Sequence, residues 1–356
     1  MKTGILLINL GTPDSPSVSD VRKYLTQFLN DPLVIDIHPI ARFFLVNFII
    51  VPFRAPKSAK LYKQIWTQEG SPLLIHGNNL KEKLQKELGE NYLVEIGMRY
   101  QNPSIQSAFR KLKNAKVSSI TVIPLYPQYA SSSTGSTIEE VKRVMKKEKF
   151  PEVKIIDKFY RDENFINACA EVAKKYKLKE YEHFIFSYHG LPERQIKKVY
   201  PDNCKLDSAC CSGITEKNSY CYRAGCYETT RLIAQKLHIA ENQYTVSFQS
   251  RLDDKWLKPY SDKVIIEKAK AGVKKILVFS PAFVADCLET IYEIGVEYQH
   301  LFKENGGEQL QLVESLNVHP AWIKALKRIV TGIDEKLETC PKDSGLLRRN
   351  LKLFIK

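Results

Sequence analysis

Short apolar runs alternate with amphipathic stretches along most of the chain. Gly4 to Leu10, Leu93 to Met98, Ile120 to Leu125 and Val153 to Ile156 are mostly apolar and too short for core helices, which predicts buried strands. Between them, Leu80 to Leu88 and Ile105 to Leu112 carry apolar residues at helical spacing. The theme returns at His183 to Ser187, Tyr244 to Phe248 and Ile276 to Ser280. Strands alternating with helices predict βαβ units and parallel sheets. Two such sets predict an α/β chain of two Rossmann-like, doubly wound domains with an active-site cleft between them. The expected division is 1–160 and 161–335, soft around Lys158 to Asn167, with a Cys-rich insertion at 200–226 and a basic tail at 336–356. No tandem repeat is visible. Ligands of such sheets belong at the carboxyl ends of the strands. Four strands here run out into polar or Gly/Pro-rich segments: NLGTPDSP, PLYPQYASSSTGS, SYHGLPER and SPAFVADCLET.

Composition narrows the picture. The chain has 356 residues, 44% hydrophobic and 26% charged, a globular balance rather than a disordered one. No run of about 18 apolar residues appears, so no membrane-spanning helix is expected. MKTGILLINLGTP reads as a strand and not as a signal peptide, because its apolar run is short and no small-residue cleavage site follows. A cytoplasmic location is expected. The net charge of +14 opens a nucleic-acid reading or an attraction to anionic membrane or acidic ligands. No recognised nucleic-acid motif is present. Residues 37–64 hold Arg42, Arg54, Lys57, Lys60 and Lys63 and no Asp or Glu, around the apolar run FFLVNFIIVPF. Eleven residues interrupted by Pro52 are too few to span a bilayer. The segment suits either an ordinary buried helix or a lip lying in the interface of an anionic membrane.

Three groups of residues carry candidate chemistry. His189 stands at the end of a buried strand before Gly190, where a neutral imidazole can take a proton or ligate a metal; a lone His there can equally do no more than cap a loop. Asp286, Glu289, Glu293 and Glu297 share one face at about 100° per residue. Such a stripe is either a solvated face or a path for cations and protons, and its start at a strand end favours the second. Oxygen ligands with one imidazole suit a loosely held divalent metal such as Fe²⁺. Finally, Cys204, Cys210, Cys211, Cys221 and Cys226 crowd 23 residues at a spacing matching neither a zinc ribbon nor a ferredoxin run. The spacing leaves Zn²⁺, an iron–sulfur cluster or plain thiols open, while Cys169 and Cys287 read as ordinary helix residues. LGTP and STGS can cradle an anion on backbone N–H groups, but no nucleotide-binding pattern follows the first strand.

Taken in order, LLINLGTPDSP, EGSPL, GMRY, YPQY with STGS, SYHGLPER, CYRAGCYETTRL, SFQSR with Trp256, and PAFVADCLETIYEI resemble the ferrochelatases, which insert ferrous iron into a porphyrin. The resemblance covers residues 1 to about 330. It implies a lyase of haem biosynthesis with two Rossmann-like domains, Fe²⁺ and protoporphyrin IX as substrates, and His189 and Glu289 facing each other across the ring. It further implies Asp286 and Glu293 as a continuing metal path, and a porphyrin pocket of Met98, Arg99, Tyr100, Tyr126, Trp256 and Phe283. Arg99 or Arg251 is available to pair with propionates. Segment 37–64 matches the pocket lip, which favours a peripheral place on the inner membrane. Ser131 stands where the animal enzymes have a cluster cysteine, so the cysteines resemble the bacterial variant that holds a [2Fe–2S] cluster in an internal insertion, through Cys204, Cys210 or Cys211, Cys221 and Cys226. A coproporphyrin ferrochelatase, a cobaltochelatase and a non-catalytic iron–sulfur or haem sensor are the alternatives. Whether the chain is a monomer or a dimer is left open.

Overall fold

The computed structural model describes residues 2–150, 153–200, 204–207 and 209–332. The expected tail 336–356, the end of the expected second domain and residues 201–203 and 208 of the insertion lie outside the described residues. Among the described residues, eight strands form two four-stranded, all-parallel sheets. The first contains β1 (Thr3–Gly11), β2 (Tyr92–Tyr100), β3 (Ser119–Pro124) and β4 (Val153–Ile155) in the order β2-β1-β3-β4. The second contains β5 (His183–His189), β6 (Tyr244–Gln249), β7 (Lys275–Phe279) and β8 (Gln309–Leu312) in the order β6-β5-β7-β8. The two halves therefore share one winding, a repeat of topology that no residue repeat reveals. In each, the winding reverses beside the first strand, so the switch-point crevices open at the carboxyl ends of β1 and β5.

Seven strands fall where the apolar runs predict them. β8 was not among the expectations, because its QLQL alternates in the manner of an edge strand and carries no continuous apolar run. The core explains the rest. Ile5, Leu7, Ile96, Met98 and Ile123 of the first sheet belong to one buried cluster with Phe184, Phe186, Tyr188 and Phe248 of the second. Trp322, fully buried, stacks on Phe159 with ring centres 5.8 Å apart and meets Phe165 edge-on. The two sheets thus hold a common interior.

The lip departs from expectation. Pro39–Ile65 is one continuous helix of 27 residues, long and apolar enough by length and composition to cross a membrane, where an interrupted eleven-residue run was expected. Its prolines do not break it. Leu45–Ile50 coils as a π-helix, and the ladder changes from i→i+5 to i→i+4 bonding at Val51, so the missing N–H of Pro52 falls at the junction. One face is core: Val46, Val51, Ala55, Ala59, Tyr62 and Ile65 pack with Val21, Leu25, Leu29 and Tyr100. The other leaves Ile40, Phe43, Phe44, Phe48, Ile49 and Phe53 exposed, Phe53 by 71%.

Gly11 closes β1 at the first crevice. Its φ is +114°, and a Cβ built there would lie 2.0 Å from the carbonyl oxygen of Tyr100. Gly70 has a similar φ, +119°, but open space around it. Gly11→Ala should therefore cost about 2–4 kcal/mol, while Gly70→Ala costs only the backbone strain, about 1 kcal/mol. Urea denaturation of the two variants checks the difference; equal midpoints would contradict it.

Candidate active site

The second crevice collects most of the candidate chemistry. β5 ends on His189, and its ring lies between two aromatics, 6.4 Å from Trp256 and 6.5 Å from Phe283 by ring centres. Nδ1 is 2.6 Å from the carbonyl oxygen of Gly190. A carbonyl only accepts, so Nδ1 carries the proton, and in the neutral imidazole Nε2 is then left with its lone pair, the tautomer a base needs. The backbone around it is fixed. Gly190 N donates to Gln249 O at 2.8 Å, Leu257 N to Leu191 O at 2.9 Å, and Pro192 bridges Trp256. A Cβ on Gly190 would meet Gln249 O at 2.8 Å, so a side chain there would push the two strand ends apart.

Gln249, absent from the predicted site, ties this strand to the acids. It pairs with His189 in the register of β5 and β6 and is buried. Its Oε1 accepts from Ser187 Oγ at 2.8 Å, and its Nε2 donates to Glu289 O at 3.1 Å and Glu293 Oε2 at 3.0 Å. The only sequence signal for it was its place in the SFQSR motif at a strand end.

The acidic stripe is not the regular helix the spacing predicted. Asp286 precedes the helix, and Glu289–Tyr298 is a π-helix, whose wider coil turns by less per residue than an α-helix. The acids also differ in state. Asp286 accepts from Asn317 Nδ2 at 2.7 Å, Thr290 Oγ1 at 3.0 Å and Ser315 N at 3.3 Å, so it ties the start of the helix to the segment Ser315–Asn317. Glu293 accepts from Gln249 and from Ser250 N at 2.8 Å, Ser250 Oγ at 2.5 Å and Tyr298 Oη at 2.9 Å, and so pins the loop after β6. Among the described residues, Glu289 alone of these three keeps a carboxylate not claimed by amide or hydroxyl donors. It lies near Tyr24, Tyr62 and Cys287. Burial pushes those phenols and that thiol far up, and the Glu289 charge pushes the same way. Burial likewise raises the Glu297 carboxyl, with Glu293 adding to it.

The first sheet supplies the remaining pocket candidates, with corrections. Met98 is 1% exposed and belongs to the core rather than to an open wall. Arg99 is spoken for: Nη2 meets Asp31 Oδ2 at 2.5 Å and Nε meets Ser136 Oγ at 2.7 Å. Tyr100, fully buried, donates to the same Asp31 oxygen at 2.9 Å, and Ser136 Oγ donates to it at 2.6 Å. Asp31, also absent from the predicted site, is the hub of this network, and its charge balances Arg99. Arg251 pairs with Asp262 at 2.9 Å. Neither expected propionate partner is free. Tyr126 has a buried hydroxyl near Thr137, and burial raises its pKa well above the usual phenol value.

The cysteines gather but do not form a closed site. Cys221 caps the helix Tyr222–Lys236, Cys226 lies in that helix, and Cys211 stands buried opposite. Cys210 Sγ is 3.8 Å from Cys211 Sγ, and Arg223 Nη1 donates to Cys211 Sγ at 3.0 Å. Burial raises the thiols of Cys204, Cys221 and Cys226 and pushes Cys211 up to about 12. Among the described residues, no three His, Cys, Asp or Glu side chains are placed to hold a metal ion, here or at the acidic helix. The expected four-thiolate set is therefore not preformed. Cys169 lies within the helix Glu163–Ala173 as expected, whereas Cys287 sits in the turn before the acidic helix.

A family model described as Ferrochelatase matches residues 2–332. A ferrochelatase of Coxiella burnetii is 47% identical over 336 residues, 92% of this chain and 93% of its own. One of Legionella pneumophila is 47% identical over 332 residues, 93% of this chain and 99% of its own. Among solved structures, SirB from Bacillus subtilis with Fe³⁺ superposes with a TM-score of 0.53 at 14% identity, covering 93% of this chain and 95% of that one, a likeness of fold. Matched by the family model over residues 2–332 and 47% identical to named ferrochelatases over more than nine-tenths of each chain, the chain belongs to the ferrochelatase family.

Proposed function

We propose that this chain inserts Fe²⁺ into protoporphyrin IX to form protohaem, with His189 and Glu289 on opposite faces of the ring. The observation that carries the reading is the identity of 47% over nearly the whole of both chains with proteins named ferrochelatase. The chemistry follows from the residues. A free-base porphyrin must lose two N–H protons and bend to admit a metal. The free Nε2 of His189 accepts a proton, and Glu289 offers an anionic oxygen for the second proton or the arriving cation. Trp256 and Phe283 flank the imidazole and grip an apolar ring, so binding energy taken up at the periphery can bend it by a few kcal/mol, roughly 1–5. Asp286 and Glu293 act by holding the helix and loop that present Glu289, a narrower role than a metal path.

The organisation is proposed as two domains, 1–160 and 161–335, flanking the cleft, with the protein cytoplasmic and its exposed lip seated peripherally on the inner membrane. Six exposed apolar side chains beside Arg42, Arg54 and Lys57 support that seat, since aromatic insertion and attraction to anionic lipid act together. For the cysteines the proposed occupant is a [2Fe–2S] cluster. The support is the donor set alone, five thiols in 23 residues with an arginine beside one of them. Binding would require the thiols to lose their protons and Cys204 and one of Cys210 or Cys211 to close on Cys221 and Cys226. No step of metal insertion passes through it.

Three measurements test these readings. His189→Ala and Glu289→Gln should each lower the rate of iron insertion about 10²–10⁴-fold, followed by porphyrin absorbance, while porphyrin quenching of Trp fluorescence shows binding retained; undiminished turnover would remove either residue from the role. The purified protein should show visible bands that bleach with dithionite; a colourless protein containing zinc or no metal rejects the cluster. Phe48→Ser with Phe53→Ser should release the protein from vesicles containing phosphatidylglycerol, and sedimentation of the unaltered protein without such vesicles is the control.

A further inference from the structure

The lip and the His189 segment come from opposite halves of the chain, yet a short polar seam joins them. Four residues after His189, the chain enters the helix Glu193–Val199. One side of that helix grips the strap leading into the lip. Arg194 Nε donates to Asp36 Oδ1 at 2.9 Å, and its Nη2 meets the same oxygen. Lys198 Nζ donates to Asp36 Oδ2. Between them, the buried Gln195 donates Nε2 to Val34 O at 3.2 Å, and its Oε1 has no partner among the described residues. The strap in turn holds the lip helix, because Arg42 Nη1 donates to Ile35 O and Ile37 O, both at 3.2 Å. Among the described residues, these are the polar ties from segment 32–65 to the second half of the chain.

The two ends of the seam differ in stiffness. On the His189 side, Glu193 N bonds Lys255 O and Leu257 N bonds Leu191 O, so the helix is bolted to the loop carrying Trp256. On the lip side, the strap is a run of turns without a sheet partner. The Arg194 and Lys198 side chains are 53% and 63% exposed, so solvent and salt weaken their hold on Asp36. The Asp36 carboxylate is mostly covered, and it is the shared member of both pairs.

We propose that Asp36, with Arg194 and Lys198, is a positioning latch for porphyrin binding: it sets the lip against the His189 wall and so fixes how tightly the mouth of the cleft holds the macrocycle. The inference rests on this chain being a porphyrin metal chelatase. The latch touches neither porphyrin nor iron in the reaction, so its loss should move porphyrin affinity and leave the chemical step alone. A single lost anchor of this exposure corresponds to a change of about fivefold.

The test is a kinetic cycle on the full chain. Asp36→Asn and the pair Arg194→Gln with Lys198→Gln should each raise KM for porphyrin about fivefold. The single-turnover rate of iron insertion at saturating porphyrin and KM for Fe²⁺ should stay within twofold. Combining all three substitutions should add nothing to either alone, and Asp36→Glu should restore the original KM. Wild-type protein in about 0.5 M KCl should reproduce the higher porphyrin KM, whereas Asp36→Asn should not respond to salt. A variant that fails to fold leaves the salt titration of the wild type to decide. Additive effects, an unchanged porphyrin KM, or a fall in the single-turnover rate would each overturn the latch. If the wild type inserts no metal at all, the functional reading fails rather than the latch.

Discussion

The geometry of the candidate site depends on one buried amide. Gln249 accepts from the hydroxyl of Ser187 on β5 while its nitrogen donates to the backbone of Glu289 and the carboxylate of Glu293. Parallel pairing of β5 with β6 brings His189 level with it. Strand and acidic helix are therefore fixed relative to each other through a side chain that is neutral and fully enclosed. A charged residue in its place would bring a desolvation penalty, and an apolar one would take one of four donors from Glu293 and leave the Glu289 carbonyl without this amide. The two groups assigned to opposite faces of a porphyrin owe their spacing to this joint.

The first sheet uses a complementary device. Asp31 draws Arg99, Tyr100 and Ser136 onto one carboxylate oxygen at the carboxyl end of β2, where the lip begins. The apolar helix that follows packs over Tyr100 and presents its aromatic side outward. Both crevices are thus held by polar groups that face inward.

Much of this was legible in the sequence, and the failures have common causes. The strands were legible because fully buried parallel strands must be continuously apolar, as GILLINL and HFIFS are; β8 was not, because an edge strand needs only half its residues apolar. His189 was legible from its place at a strand end. The state of Asp286, Glu293 and Arg99 was not, since each is decided by a partner distant in the chain, such as Asn317 or Asp31. The π-helix escaped because acids at three- and four-residue intervals fit an α-helix equally well. The prolines of the lip read as breaks because the wider turn that absorbs Pro52 has no signature of its own.

The cysteine insertion and the active-site histidine are neighbours by a very short route. Cys221 caps a helix, and the next residue, Tyr222, donates its hydroxyl to the carbonyl oxygen of His189 at 2.9 Å. Burial keeps that phenol protonated and so keeps it a donor. One peptide bond and one hydrogen bond therefore separate a thiol from the backbone that aims the imidazole. Cys221 is buried, so replacing it to probe metal content also disturbs the packing beside Tyr222, and a loss of turnover in such a variant reports on the scaffold as well as on the sulfur.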